Sequence, residues 1–230
     1  MKIVALSDIH SNLDALQAVL SVLPAHDELY CLGDIVGYGP QPNEVIEILQ
    51  QLRPTAVLLG NHDHAVVTGD VSEFSSNAAK AIQWTRERIS EDSRHYLERL
   101  KPSARIELEG KTLALYHGSP QDPLMEYVFP GLTARMGRRV VEMAEANIVL
   151  LGHTHMPMVY RFSGEVLANP GSVGQPRDGD PRASFAVLTI SQNEVRFDIQ
   201  RVHYNVKPVA DRILQSGLPS FLAERLYLGV

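Results

Sequence analysis

The chain reads as an α/β fold whose first half builds a parallel sheet and whose second half is rich in strands. Two observations carry this reading. Compact apolar runs at residues 2–6, 29–32 and 56–59 alternate with helix-patterned segments, the βαβαβ order that favours parallel pairing. Beyond residue 101 the apolar runs become short and are separated by turn residues, so several of these strands are expected to pair antiparallel.

Residues 2–6 stop at Ser7-Asp8, as a buried central strand does when it delivers polar groups at its C-terminal end. Asn12 then serves as a helix cap. Leu13, Leu16, Val19, Leu20 and Leu23 follow at helical spacing as far as Pro24. The pattern repeats: 29–32 ends at Gly33-Asp34, 42–52 forms a helix, and 56–59 ends at Gly60-Asn61-His62-Asp63. Residues 64–101 turn polar and charged, with helical pieces at 78–88 and 92–100. They read as a helical insertion or cap within a single domain spanning 1–230. Gly110-Lys111 joins a hairpin of 105–109 and 112–117. A helix at 133–144 precedes strands at 148–151, 158–162, 166–168, 184–190 and 195–202, and helices at 206–215 and 219–226 follow. Phe221, Leu222, Leu226, Tyr227 and Leu228 are expected to pack on their own domain.

Composition narrows the functions available. With 230 residues and 44% hydrophobic content the chain can bury one sizeable core. Its net charge of -6 and the lack of a broad basic stretch argue against duplex nucleic acid or an anionic membrane as partner. Cys31 is the single cysteine and sits in an apolar run, so it reads as a buried thiol. No apolar run approaches the ~20 residues of a membrane span, and Asp8 interrupts the N-terminal run before a signal core could develop. The expected location is the cytoplasm.

Five polar clusters end or follow apolar strands: Asp8-Ile9-His10, Gly33-Asp34, Gly60-Asn61-His62-Asp63, His117-Gly118 and Gly152-His153-Thr154-His155. All supply oxygen or imidazole ligands. The two-residue offset in Asp8-x-His10 and in His153-x-His155 would let each pair reach one cation together from extended backbone. The neighbouring glycines relieve crowding where backbone turns beside a site. One such cluster alone has an ordinary explanation in capping or packing. Five of them, each after a predicted strand, point to a site on one edge of an α/β sheet. His26, His95 and His203 stand outside these clusters and read as ordinary surface or core histidines.

In this order the five blocks resemble those of the calcineurin-like metallophosphoesterase superfamily. Ser7-Asp8-Ile9-His10-Ser11-Asn12 and Asn169-Pro170-Gly171-Ser172-Val173-Gly174 are in addition similar to segments of its small bacterial and archaeal phosphodiesterase group. The resemblance implies a four-layer αββα sandwich with two packed mixed sheets. It implies that Asp8, His10 and His155 hold one metal, that Asn61, His117 and His153 hold another, and that Asp34 bridges the two. An anionic carboxylate between two divalent cations offsets their repulsion. Mixed histidine and carboxylate ligation favours transition metals, Mn²⁺ first, with Fe, Zn²⁺, Ni²⁺ or Co²⁺ also suited, over Ca²⁺. Such a pair generates a bridging hydroxide for in-line attack on a phosphate ester.

The resemblance further implies that His62 protonates the leaving oxygen or stabilises charge on the phosphoryl group. Asp63 is expected either to orient that imidazole or to cap a turn. Arg177, in a Pro- and Gly-rich loop, suits a substrate phosphate or an ion pair with Asp178 or Asp180. Tyr38 either lines the pocket or packs.

Protein phosphatases of the superfamily carry Asp-Arg-Gly shortly after the bridging aspartate, where this chain has Gly37-Tyr38-Gly39. Without that arginine, the expected substrate is a small phosphodiester or nucleotide, with a phosphomonoester or a dinucleoside polyphosphate as alternative. A catalytically silent scaffold of the same fold is the non-enzyme alternative, and the retention of His62 and every ligand block argues against it.

Overall fold

The computed structural model of the protein describes residues 1–191 and 194–230. Each apolar run of the first half becomes a strand that feeds a helix: β1 (Lys2–Leu6), α1 (Leu13–Leu20), β2 (Glu28–Cys31), α2 (Pro42–Leu52), β3 (Ala56–Val57) and α3 (Asn61–Thr68). The polar stretch that follows folds as α4 (Ser76–Arg86) and α5 (Glu91–Glu98). The second half supplies β4 (Ser103–Leu108), β5 (Lys111–Tyr116), α6 (Ala134–Ala144), β6 (Ile148–Leu151), β7 (Met158–Arg161), β8 (Val166–Asn169), β9 (Ala183–Ile190), β10 (Val195–Val202), α7 (Val206–Gln215) and α8 (Ser220–Leu228).

The strands form two five-stranded sheets, in the orders β10-β9-β1-β2-β3 and β4-β5-β6-β8-β7. Both are mixed, as expected for the sandwich. Strands β1, β2 and β3 run parallel, and so do β5, β6 and β8, while β9, β10, β4 and β7 pair antiparallel with their neighbours.

Side-chain alternation explains the layers. In β1, Ile3 and Ala5 point into the space between the sheets, where they meet Tyr30 and Leu32 and, from the other sheet, Leu113, Leu115, Ile148 and Leu150. Val4 and Leu6 point the other way, into a second core with α1, α2 and α3. Likewise Val149 and Leu151 of β6 leave the inter-sheet core to pack against α6. Central strands buried on both faces read as continuous apolar runs, which is why alternation was not visible in the sequence. The four layers are thus helix, sheet, sheet, helix.

Helices α3 to α5 are not detached from this core, because Ala65, Val66, Ile82 and Leu97 join the one behind the first sheet. The helical stretch begins at Asn61 itself. On the far side of α4, helices α7 and α8 pack Val209, Ile213, Leu222 and Leu226 against Ala78, Ala81 and Tyr38. Leu222 and Leu226 are buried as expected, whereas Phe221, Tyr227 and Leu228 face outward. Among the described residues no helix is long and apolar enough to cross a membrane. Cys31 is a buried free thiol.

Candidate metal centre

Every candidate ligand follows the C-terminal end of a strand that runs parallel in its sheet. Asp8 and His10 follow β1, Asp34 follows β2, Asn61 opens α3 after β3, His117 follows β5, and His153 and His155 follow β6. Packing the sheets face to face brings both sets of ends together. His117 Nδ1, from the second sheet, donates to the carbonyl of Leu32 in the first at 2.7 Å.

The donor atoms fall into two groups sharing one residue: Asp8, His10, Asp34 and His155 in the first, and Asp34, His117 and His153 in the second, with the donors of each group within 4.8 Å of one another. In the first, His155 Nε2 lies 3.3 Å from Asp8 Oδ1 and 3.0 Å from His10 Nε2, and His10 Nε2 lies 3.5 Å from Asp34 Oδ2. In the second, His117 Nε2 lies 3.5 Å from Asp34 Oδ1 and 3.1 Å from Asn61 Oδ1. Asn61 is therefore beside the second group.

His153 and His155 part company here, contrary to the expectation that each two-residue pair serves one cation. The extended backbone which that expectation assumed is absent. Asp8, His10, Asp34, His153 and His155 have φ of 52°, 50°, 52°, 67° and 60°, the left-handed region and not extended strand. Each such residue costs ~1–3 kcal/mol, a strain that clusters where a site is held by its surroundings. The loop 169–174 is part of what holds it. Asn169 Nδ2 donates to the carbonyl of Gly152 at 2.7 Å, Ser172 Oγ donates to that of Asp8 at 2.7 Å, and Gly174 N donates to that of Asp8 at 3.0 Å.

Each ligand imidazole is aimed by its other nitrogen. Nδ1 of His10 and of His155 donates to the carbonyls of Val36 and Gln175 at 3.0 and 2.6 Å, leaving Nε2 toward the cluster. His153 is reversed: its Nε2 bonds the carbonyl of Met125 at 3.1 Å, which leaves Nδ1.

The donor set suits a divalent cation. Asp8 Oδ1 and Asp34 Oδ2 are buried without a hydrogen-bond partner, although both point among the histidines. Burial, reinforced by the charge of Asp34, pushes the Asp8 carboxyl up to about 7. Burial pushes His117 down, but the charge of Asp34 and the hydrogen bond to it, with the charge of Asp8 and the bond to Leu32, together raise that imidazole to about 9. Two carboxylates thus compete for positive charge in a closed, dehydrated space, which a bound cation would supply.

His62 sits beside this cluster and not in either group. Its backbone amide donates to Asp34 Oδ1 at 2.9 Å, while its ring lies 4.3 Å from that of Tyr38 and 4.9 Å from those of His10 and Phe74. Gly37 is pressed against it: a Cβ there would stand 2.6 Å from Nδ1, an atom that is buried and unpartnered.

The Asp63 carboxylate makes no hydrogen bond to the His62 imidazole. Its Oδ1 accepts from Val36 N at 2.9 Å, and its Oδ2 accepts from Gly60 N at 2.9 Å and Ile35 N at 3.2 Å. It caps α3 and braces the backbone after Asp34.

Tyr38 is buried, edge-on to His10 at 4.7 Å. Arg177 pairs with neither Asp178 nor Asp180, which bind Arg201 and Arg182. It reaches back to Tyr38 Oη at 3.2 Å and Gln175 Oε1 at 3.0 Å. Tyr38, Arg177, Asn61 and His62 line one cleft of about 580 Å³.

Among the residues of that cleft that were not foreseen are Phe74, Tyr127, whose ring stacks 3.6 Å from that of His153, and Arg225 of α8. None lies in a motif. Only the aromatic pair Tyr127 and Phe129, stacked at 5.3 Å, offered a weak signal.

The sequence profile of the calcineurin-like phosphoesterase superfamily domain matches residues 1–193. The chain belongs to that superfamily. Within it, the uncharacterized protein MJ0912 of Methanocaldococcus jannaschii is 35% identical over 246 residues, covering 99% of this chain and 98% of that one. A crystal structure of a metallophosphoesterase from Sphaerobacter thermophilus superposes with a TM-score of 0.86 at 35% identity, over 100% of this chain and 99% of the other. The phosphodiesterase YfcE of Escherichia coli is 25% identical over 199 residues, 82% of this chain and 87% of its own. Calcineurin-like phosphoesterases are the class to which this buried Asp/His centre belongs, and a phosphoester is the substrate class that the family indicates.

Proposed function

We propose that the protein is a binuclear metal-dependent phosphodiesterase acting on a small phosphodiester or nucleotide. Asp34 carries this reading: one buried carboxylate has an oxygen directed at each donor group, 3.5 Å from His10 in one and 3.5 Å from His117 in the other. Asp8, His10 and His155 would hold the first cation and Asn61, His117 and His153 the second, with Mn²⁺ favoured by the nitrogen and oxygen donor mixture. When bound, the cations supply Lewis acidity toward the phosphoryl oxygens and activate water near neutral pH.

The remaining work falls to the protein. His62 lines the cleft with Nδ1 closed off against Gly37, so Nε2 is the atom from which it delivers a proton to the departing oxygen. Arg177, free of any carboxylate partner among the described residues, offers its fork to a phosphoryl oxygen, and Tyr38 orients that fork through its hydroxyl. Tyr38 also shields His10 and His62 from water. Asp63 acts on the site through backbone alone. The preference for diesters is supported by Tyr38 in place of the phosphate-gripping arginine, and by the relative named as a phosphodiesterase.

The test is hydrolysis of bis-p-nitrophenyl phosphate against p-nitrophenyl phosphate by the purified protein with Mn²⁺. Faster turnover of the diester is expected, with close to two transition-metal ions per chain by elemental analysis. Full activity in a metal-stripped preparation would sink the reading.

A further inference from the structure

The cleft holds a second arginine with no assigned task. Arg225 lies on α8, beyond the residues that the family profile matches. Its guanidinium and that of Arg177 stand over the same ring, 5.9 and 5.6 Å from the centroid of Tyr38. Two like charges beside one ring repel, and burial together with the charge of Arg177 lowers Arg225 to about 10.

Among the described residues no aspartate or glutamate pairs with either arginine. Arg225 Nε donates to the main-chain oxygen of Val230, which leaves its two terminal nitrogens without an acceptor among those residues, and Arg177 Nε is buried with no partner at all. Glu73 and Asp122 line the same cleft, but neither pairs with an arginine, and Asp122 accepts instead from the amides of Leu124 and Met125.

The position of α8 is itself built. Leu222, Ala223 and Leu226 are buried against Tyr38 and α4. The carbonyl of Gly229 accepts from Gly179 N at 2.9 Å, so the end of α8 is tied to the loop that carries Arg177. The two arginines are held together from both sides of the cleft mouth.

We propose that Arg177 and Arg225 form a second anion subsite that selects substrates bearing a further phosphate beside the scissile one, as in nucleoside and dinucleoside polyphosphates. The inference rests on the phosphodiesterase reading for the chemistry but not for the binding. A planar guanidinium matches phosphate oxygens two at a time, and two of them suit a polyphosphate chain better than a single diester anion. The cleft of about 580 Å³ leaves room for a nucleoside, with Phe74 and Tyr127 as apolar walls.

The deciding experiment is calorimetric titration of tripolyphosphate into the metal-stripped protein and into R225Q. The wild-type chain should bind, and R225Q should bind about tenfold or more weakly, the scale of one charged hydrogen-bond pair. Absence of binding to the wild type, or equal affinity in the variant, overturns the subsite. Should R225Q fail to fold, R225K replaces it: keeping the charge while losing the fork, it should still bind measurably more weakly, and equal affinity overturns the proposal. With Mn²⁺, R225Q should also lose more kcat/KM on diadenosine tetraphosphate than on bis-p-nitrophenyl phosphate, and an equal loss on both counts against it. If the loaded wild-type enzyme hydrolyses neither ester, the phosphodiesterase reading fails, while the titration still decides the subsite.

Discussion

Asp63 and His10 meet through a single residue, Val36. The carboxylate of Asp63 accepts from Val36 N at 2.9 Å, and Nδ1 of His10 donates to the carbonyl of the same Val36 at 3.0 Å. A residue that touches no candidate ligand thus fixes the turn after Asp34 and the ring orientation of His10 together. Since Asp63 also holds Gly60 N, it couples the loop of Asp34 to that of Asn61.

Asp63→Asn should therefore act on structure and on metal retention. The amide keeps one oxygen for three backbone N–H groups that are buried, so at least one loses its acceptor, at a cost of ~1–3 kcal/mol. Chemical denaturation should show that loss, and elemental analysis should show less bound metal after purification. A variant as stable as the parent would remove the bracing role.

His62→Ala should separate chemistry from binding. The imidazole lies outside both donor groups, so metal content should stay near the parent value while turnover falls by ~10²–10⁴. Loss of metal along with activity would make His62 a ligand.

Gly37 offers a subtler approach to the same ring. At φ of 93°, Gly37→Ala carries backbone strain of ~1–3 kcal/mol, and its Cβ would stand 2.6 Å from His62 Nδ1. Gly131, at φ of 92° with nothing within 4 Å of an added Cβ, isolates the strain. Gly37→Ala should lower kcat well beyond Gly131→Ala. Equal kcat in the two would show that His62 does not depend on that contact.

Asp34→Asn should weaken metal binding more than any single histidine change, because it removes the charge that both groups share. Mn²⁺ at about a hundred times its Kd stabilises a one-site protein by about 2.7 kcal/mol. That gain in thermal stability should appear in the parent and largely vanish in the variant. An unchanged shift would place the shared carboxylate outside the metal site.

The site was unevenly legible. Asp8, His10, Asp34, Asn61, His117, His153 and His155 announced themselves because each follows an apolar strand within a few residues, and a strand end is a local feature. How they divide was not legible from spacing alone. His153 and His155 are two residues apart yet belong to different donor groups, His153 with Nε2 on the carbonyl of Met125 and His155 with Nδ1 on that of Gln175. Asp63 looked like a partner for its neighbour His62, whereas its acceptors are spent on three backbone amides, two of them 27 and 28 residues away.

By itself, the sequence determined the strands, the parallel βαβ order and the ligand types, all of which depend on neighbours along the chain. Only the tertiary structure decided which sheet ends face each other, why Asp34 is common to both groups, and that Arg225 stands beside Arg177. Arg177 and Arg225 are 48 positions apart, and on an amphipathic helix an arginine that enters a cleft reads like one that faces water. Proximity between distant segments comes from packing two sheets and two helices around shared cores, and no local pattern records it.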